Sequence, residues 1–293
     1  MKYRLLLVLT SLIWGFAFAF QAIGMETMGP YTFNGIRFLI GAAALLPLMA
    51  LSRDRIIQGP LPVPAWAAFA LPGFFLFLGA TLQQVSLQYT TVSKASFLTA
   101  TYILMVPFLG LFIRQPIRLA HIAGALIATV GVYFLSITES FTMEMGDLMV
   151  LASAVCFAFQ IIAISCFAVR ISPLWLSCGE FFISGFLNCL LALFFETPTW
   201  PGILAGWIPL LYLGLLSTAV GFTLQTLAQK YIPSSEASMI QSLEMVFGGL
   251  AGILIMGDIL SSKQSMGILA MTAGVVLSQI KSRIVLSPGK ESL

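Results

Sequence analysis

LGATLQQVSLQYTTVSKAS, residues 78–96, and VGFTLQTLAQKYIPSSEAS, residues 220–238, are two polar stretches of an otherwise apolar chain, and they align without a gap. Gly79, Thr81, Leu82, Gln83, Tyr89, Ser93, Ala95 and Ser96 fall opposite Gly221, Thr223, Leu224, Gln225, Tyr231, Ser235, Ala237 and Ser238, each pair 142 positions apart. An ungapped echo of this length marks a duplication. The same spacing, within one residue, relates Ser11 to Ser153, Pro30 to Pro173, and the pair Gly124/Gly131 to Gly267/Gly274. The chain therefore reads as two copies of one unit, residues 1–142 and 143–293.

Composition says what kind of unit this is. Of 293 residues, 59% are hydrophobic and 9% charged, with a mean hydropathy of +1.00, against about 25% charged in soluble domains. A crossing helix needs about 20 mainly apolar residues, and cutting the chain at charges, Pro/Gly clusters and interfacial aromatics predicts ten spans. They run over 5–24, 31–51, 65–88, 91–113, 117–137, 147–168, 173–195, 206–229, 233–256 and 264–281. Apolar segments recur to the end of the sequence, unlike a cleaved leader followed by a polar domain, so the first span is expected to stay. The expected fold is all-α integral membrane, ten transmembrane helices as two five-helix repeats.

Five is odd, so the second unit is expected to enter the membrane upside down. With a cytoplasmic N-terminus, Lys2, Arg4, Arg53, Arg55, Arg114, Arg118, Arg170, Lys230, Lys281, Arg283 and Lys290 fall inside, and only Lys94 and Lys263 near the outer side. That distribution satisfies the positive-inside rule and places both termini in the cytoplasm. The net charge of +3 is scattered between spans, so no nucleic-acid surface is expected. Inverted repeats of this kind are the architecture of secondary transporters, whose halves rock about a midplane site. Two related segments in opposite orientations can then build one inner and one outer gate.

The residues resemble the EamA family of the drug/metabolite transporter superfamily, ten-span carriers built from two EamA repeats. The resemblance covers nearly the whole chain. It rests on Trp14-Gly15 in span one, Pro30 with Arg37 seven residues on, the Pro107 region of span four, and the duplicated glycine pairs. It implies export of small metabolites, often amino acids, across the bacterial cytoplasmic (inner) membrane. There are departures. The acid that usually closes the fourth helix of each repeat is present as Asp258 but replaced by Gln115 in the first half. Asp258 is read as a helix-terminus or loop feature whose loss should not abolish transport. The embedded carboxylate that small multidrug resistance relatives carry in their first span is absent from span one.

Intramembrane polar groups are costly and usually face a cavity or a partner. Glu244 lies roughly a dozen residues into span nine, about 18 Å deep, with Gln241 and Gly248 on its helix face and Thr99 and Tyr102 at the matching positions of span four. It is the candidate for proton coupling or recognition of an amine, against a structurally bonded carboxyl. Arg37 and Glu180 are repeat mates, each about 10 Å into its span, and are read as structural rather than as substrate contacts. The identical pair Gln83 and Gln225, with Gln160, are candidates for hydrogen bonds to substrate, the alternative being interhelical bridging. Mid-span Trp14 either stacks on substrate or fills space. Pro72 and Pro107 are read as kinks or hinges, and Gly248, Gly249 and Gly252 as hinges or close packing.

The substrate site is thus expected from Trp14, Gln83, Thr99, Tyr102, Gln160, Gln225, Gln241 and Glu244. The lone His121 and Cys156, Cys166, Cys178 and Cys189 form no metal-ligand pattern and no nucleophile–base set, so neither metal, cofactor nor catalytic residue is expected. No phosphate-binding G-x4-G-K-[ST] loop occurs, which argues against ATP-driven pumping by this chain alone. The expected partners are a small-molecule substrate and the lipid bilayer, for a monomer or homodimer. The competing functions are a flippase for a lipid-linked precursor and, from another class, an intramembrane enzyme.

Overall fold

The computed structural model describes residues 1–52, 55–113, 117–136, 143–279 and 285–286. Gln115 and the 138–142 part of the central connection lie outside them, as do the side chains of Arg118 and His121. Apart from a two-residue antiparallel pairing of Ile117–Arg118 with Val285–Leu286 and an isolated bridge between Ile57 and Ile171, the regular structure of the described residues is helical. The segments are α1 (Lys2–Gly24), α2 (Pro30–Leu51), α3 (Ala65–Ser86), α4 (Val92–Ile113), α5 (Leu119–Ser136), α6 (Met145–Phe167), α7 (Pro173–Phe195), α8 (Trp207–Gln229), α9 (Ser234–Met256) and α10 (Ser262–Gln279).

Eight of these, all but α5 and α10, are long and apolar enough to cross a membrane. The sequence led us to expect ten. α10 opens on Ser262, Lys263, Gln264 and Ser265, which dilute its hydropathy; in α5 the apolar run among the described residues is Ile122–Leu135. Element boundaries otherwise fall within a few residues of the expected ones. Proline at the first helical position starts α2 and α7, where its missing N–H costs nothing. Gly257, in the left-handed conformation at φ 71°, ends α9, as a residue without Cβ can.

The principal helix contacts come in related sets. α2 packs on α7, α4 on α9 and α5 on α10; α3 packs on α6 and α7, while α8 packs on α1 and α2; and α6 meets α4 as α1 meets α9. Replacing every helix by the one five places away maps this set onto itself. The glycine pairs settle as a seam within the chain: a Cβ on Gly131 would strike Met271, and one on Gly267 or Gly274 would strike α5 backbone. The α4–α9 contact is equally close, since a Cβ on Gly248 or Gly252 would meet Ser96 or Ser93. Close packing through small residues therefore accounts for these glycines. Large apolar side chains such as Leu193, Phe194, Phe195 and Leu254 point outward and exposed, an outer face suited to lipid.

Both α4 and α9 are broken in the middle. Regular helix runs Val92–Thr99 and resumes at Tyr102 in α4; it runs Ser234–Gln241 and resumes at Glu244 in α9. At each break the ladder tightens to i→i+3 bonds, Thr101 N to Leu98 O at 3.1 Å and Met245 N to Ser242 O at 3.1 Å. A hydroxyl takes an i−3 carbonyl at each as well, Thr101 Oγ1 to Leu98 O at 2.6 Å and Ser242 Oγ to Met239 O at 2.7 Å, a local competition that bends helices. α8 departs differently, with π-helical turns over Tyr212–Phe222.

Candidate functional site

The breaks matter because of what flanks them. Thr99, Tyr102 and Glu244 border the two interruptions, and all three line one central cavity between the halves of the chain. The rest of the lining comes from one face of each neighbouring helix. α1 contributes Trp14, Phe18 and Gln21 at helical i, i+4, i+7 spacing, α3 gives Gln83, α6 gives Phe157 and Gln160, α8 gives Phe222 and Gln225, and α2 gives Arg37. The cavity is narrow: about 40 Å³ is open to the centres of water molecules, where one water needs roughly 10–15 Å³.

Seven of the eight expected site residues meet here: Trp14, Gln83, Thr99, Tyr102, Gln160, Gln225 and Glu244. Gln241 does not. It is fully buried behind the break, with neither amide atom hydrogen-bonded, because the tightened turn sends it and Glu244 to different surroundings. Arg37, read from sequence as structural, is on the cavity wall. Nothing in its position seven residues past a proline could have shown this, since the wall depends on how α2 sits against α8.

Two amide chains cross the site. Gln83 Nε2 donates to Thr99 Oγ1 at 3.0 Å. Its repeat mate Gln225 donates through Nε2 to Gln160 Oε1 at 3.3 Å, and Gln160 Nε2 donates to Glu180 Oε2 at 3.0 Å. Glu180 is thus held by an amide, not by its repeat mate Arg37; no Arg37–Glu180 ion pair forms, although α2 and α7 pack together. Arg37 is 3% exposed; its Nε donates to Asn34 Oδ1 at 2.7 Å, and Asn34 Nδ2 is anchored on Ala80 O at 3.0 Å.

Trp14 forms a wall rather than a loose ring. Its Nε1 donates to Ser217 O at 3.1 Å, an acceptor within the π-helical stretch, and its ring lies 4.5 Å from that of Phe222. Tyr102 and Glu244 are close enough to act on each other electrostatically. Gln225 Oε1 is buried without a hydrogen-bond partner, and Tyr102 Oη and Glu244 Oε1 have no hydrogen-bonding neighbour but each other. Buried polar atoms without a partner call for a cause, and these three share one cavity wall. Among the described residues no three His, Cys, Asp or Glu side chains gather into a metal-ligating group.

Asp258 behaves as its position suggested. Its Oδ2 accepts from Ser93 N at 2.8 Å, so a carboxylate of the second half caps the first turn of α4, where the helix dipole favours negative charge. It stands apart from the cavity lining.

Comparison with known proteins agrees with this architecture. An uncharacterized transporter of Archaeoglobus fulgidus is 31% identical over 94% of this chain and 85% of its own length. The uncharacterized transporter YwfM of Bacillus subtilis is 25% identical over 94% of this chain and 93% of its own. One solved crystal structure superposes with a TM-score of 0.70, covering 95% of this chain and 96% of that one at 18% identity, a likeness of fold alone. These relatives point to transport rather than catalysis. The EamA-like transporter family matches twice, over residues 1–137 and 144–279, and the chain belongs to that family of multi-pass membrane transporters.

Proposed function

We propose that the chain is a secondary transporter exporting small metabolites, amino acids foremost, by alternating access across the bacterial cytoplasmic membrane. In this reading residues 1–142 and 143–293 are inverted five-helix repeats, ten helices span the membrane, and both termini are cytoplasmic. The pairwise relation among the helix contacts supports the repeat. The observation that carries the function is the convergence of both helix breaks and the repeat-related glutamines on one narrow, polar and aromatic cavity. Broken helices at a repeat interface are the usual frame of a transporter site, and a void of a few waters must widen to admit substrate.

The gates follow from the duplicated segment. At the outer end Lys94 joins α4 to Glu144 and to Asp147 of α6, with both N–O distances 2.8 Å. At the inner end Arg4 of α1 pairs with Glu236 of α9, and Tyr3 stacks on Tyr231 with centroids 4.1 Å apart. Rocking that separates α4 from α6 opens the outer end; separating α1 from α9 opens the inner. Glu244 sits between them as the group able to exchange a proton or receive an ammonium.

Purified protein in proteoliposomes, loaded with mixed radiolabelled amino acids, tests the proposal through efflux with and without a pH gradient. Export that responds to the gradient in wild type but not in Glu244→Gln supports proton coupling at that carboxyl. Equal, gradient-independent export in both leaves an amino acid carrier in which Glu244 does not couple protons. No export of any amino acid rejects the substrate class. A second reading, movement of a lipid-linked precursor, draws on the apolar lateral groove lined by Leu104, Met105, Phe108, Val132 and Phe159; competition by soluble amino acids separates the two.

A further inference from the structure

The central cavity contains a cation, Arg37, for which no described residue supplies a counter-charge. Arg37 is 3% exposed and lines the cavity. Among the described residues it forms no ion pair, whereas Arg4 and Lys94 each have carboxylate partners. Every carboxyl near it has other surroundings: Glu180, on the helix packed against α2, accepts from Gln160, and Glu244, the one carboxyl on the same cavity wall, neighbours Tyr102. A buried charge without a counter-charge costs several kcal/mol, so a chain keeps one only where something else meets it.

The guanidinium is also aimed. Nε is tied to Asn34 Oδ1, Asn34 is tied to the Ala80 carbonyl, and Cζ lies 4.3 Å from the Phe38 ring centroid. That tether uses one edge of the group and leaves the Nη side, a rigid fork matched to two oxygens of a carboxylate. An interface snorkel is excluded by the burial.

We propose that Arg37 is the carboxylate subsite of the central cavity, so that the transported class is a compact metabolite bearing a carboxylate, an α-amino acid being the form that also offers an ammonium to Glu244. The inference rests on the transporter reading and deepens it. Tyr102, Gln225 and the amide chains then hold the polar remainder, while Trp14, Phe18, Phe157 and Phe222 enclose the side chain.

The test is thermal stabilisation of the purified full-length protein by matched ligands, since a molecule that binds the folded state raises its unfolding temperature. The probes are alanine, threonine and leucine, the primary amide of each, and the α-hydroxy acid of each. Acids are expected to stabilise wild type and amides not to. Arg37→Gln should weaken acid binding about 10- to 100-fold, the scale of lost charge-assisted hydrogen bonds, and Arg37→Lys should retain part of the preference for acid over amide. A purely structural arginine would lower the unliganded midpoint in both variants and leave that preference unchanged. Stabilisation by amides equal to that by acids, an undiminished acid preference in Arg37→Gln, or no response of wild type to any acid overturns the assignment. Equal responses to hydroxy acids and amino acids would keep the Arg37 subsite while removing the amino acid reading.

Discussion

The two ends of the molecule use the same two repeat positions with the charges exchanged. Lys94 and Glu236 are equivalent, 142 positions apart, and Asp147 and Arg4 are equivalent, 143 apart. At these repeat positions each end therefore carries one cation and one carboxylate across the same pair of helices, in reverse order, and the Lys94 end adds the half-exposed Glu144. The environments differ. The side chains of Lys94 and Asp147 are 7% and 0% exposed, whereas those of Arg4 and Glu236 are 60% and 35% exposed. The Lys94 end is further bound by Thr90 Oγ1 donating to Asp147 Oδ1 at 2.7 Å and by Asp258 capping α4; the residue equivalent to Asp258 is Gln115.

In the proposed mechanism the repeated positions supply the frame of two gates, and substitution between the copies tunes them apart. A buried pair resists separation because each partner would be left desolvated and alone. An exposed pair exchanges its partner for water at little cost. In the proposed mechanism the Lys94 end is therefore the tighter latch and the Arg4 end the easier one to open.

The largest effect that would break this comparison comes from Lys94→Met, which strands the fully buried Asp147. It should lower stability by about 3–5 kcal/mol, read as a fall in the detergent unfolding midpoint, with the outer end becoming accessible to thiol reagent at a cysteine placed on its rim. An equal loss in Glu236→Met would show that burial does not distinguish the ends. Exchanging the outer charges, Lys94→Glu with Asp147→Lys, sharpens the point by writing the inner order into the outer site. The double variant should recover stability relative to the sum of the single ones by roughly 0.5–3 kcal/mol in a double-mutant cycle; no coupling would deny that the pair acts as a unit.

Next in size is Asp258→Asn, expected to cost about 1 kcal/mol as a weakened helix cap with export retained. Loss of export without loss of stability would move Asp258 into the transport pathway. The smallest effect is expected for Arg4→Gln, within about 1 kcal/mol and fading as salt rises, which a midpoint measured at low and high ionic strength would register.

The helical segments and seven cavity residues could be read from the chain because long apolar runs write a simple signal, although eight of the ten expected spans are long and apolar enough to cross a membrane among the described residues. Gln83/Gln225 were visible as a conserved-in-duplicate pair within one sequence, and Glu244 as a carboxyl too deep to be incidental. The helix breaks were not visible. Pro107 drew the eye, yet the interruptions fall at Ala100–Thr101 and Ser242–Leu243, where ordinary residues are bent by hydroxyl-to-carbonyl bonds that many regular helices also tolerate. Nor was the meaning of Arg37 or of the Lys94/Glu236 exchange legible, since a charge declares its role only through what surrounds it. Composition, span pattern and internal symmetry belong to the sequence by itself, because they depend on transfer into lipid and on local periodicity. Which charges are paired, which is left facing the cavity and which end holds the buried pair were decided only by the tertiary structure, because desolvation and pairing depend on neighbours brought in from distant parts of the chain.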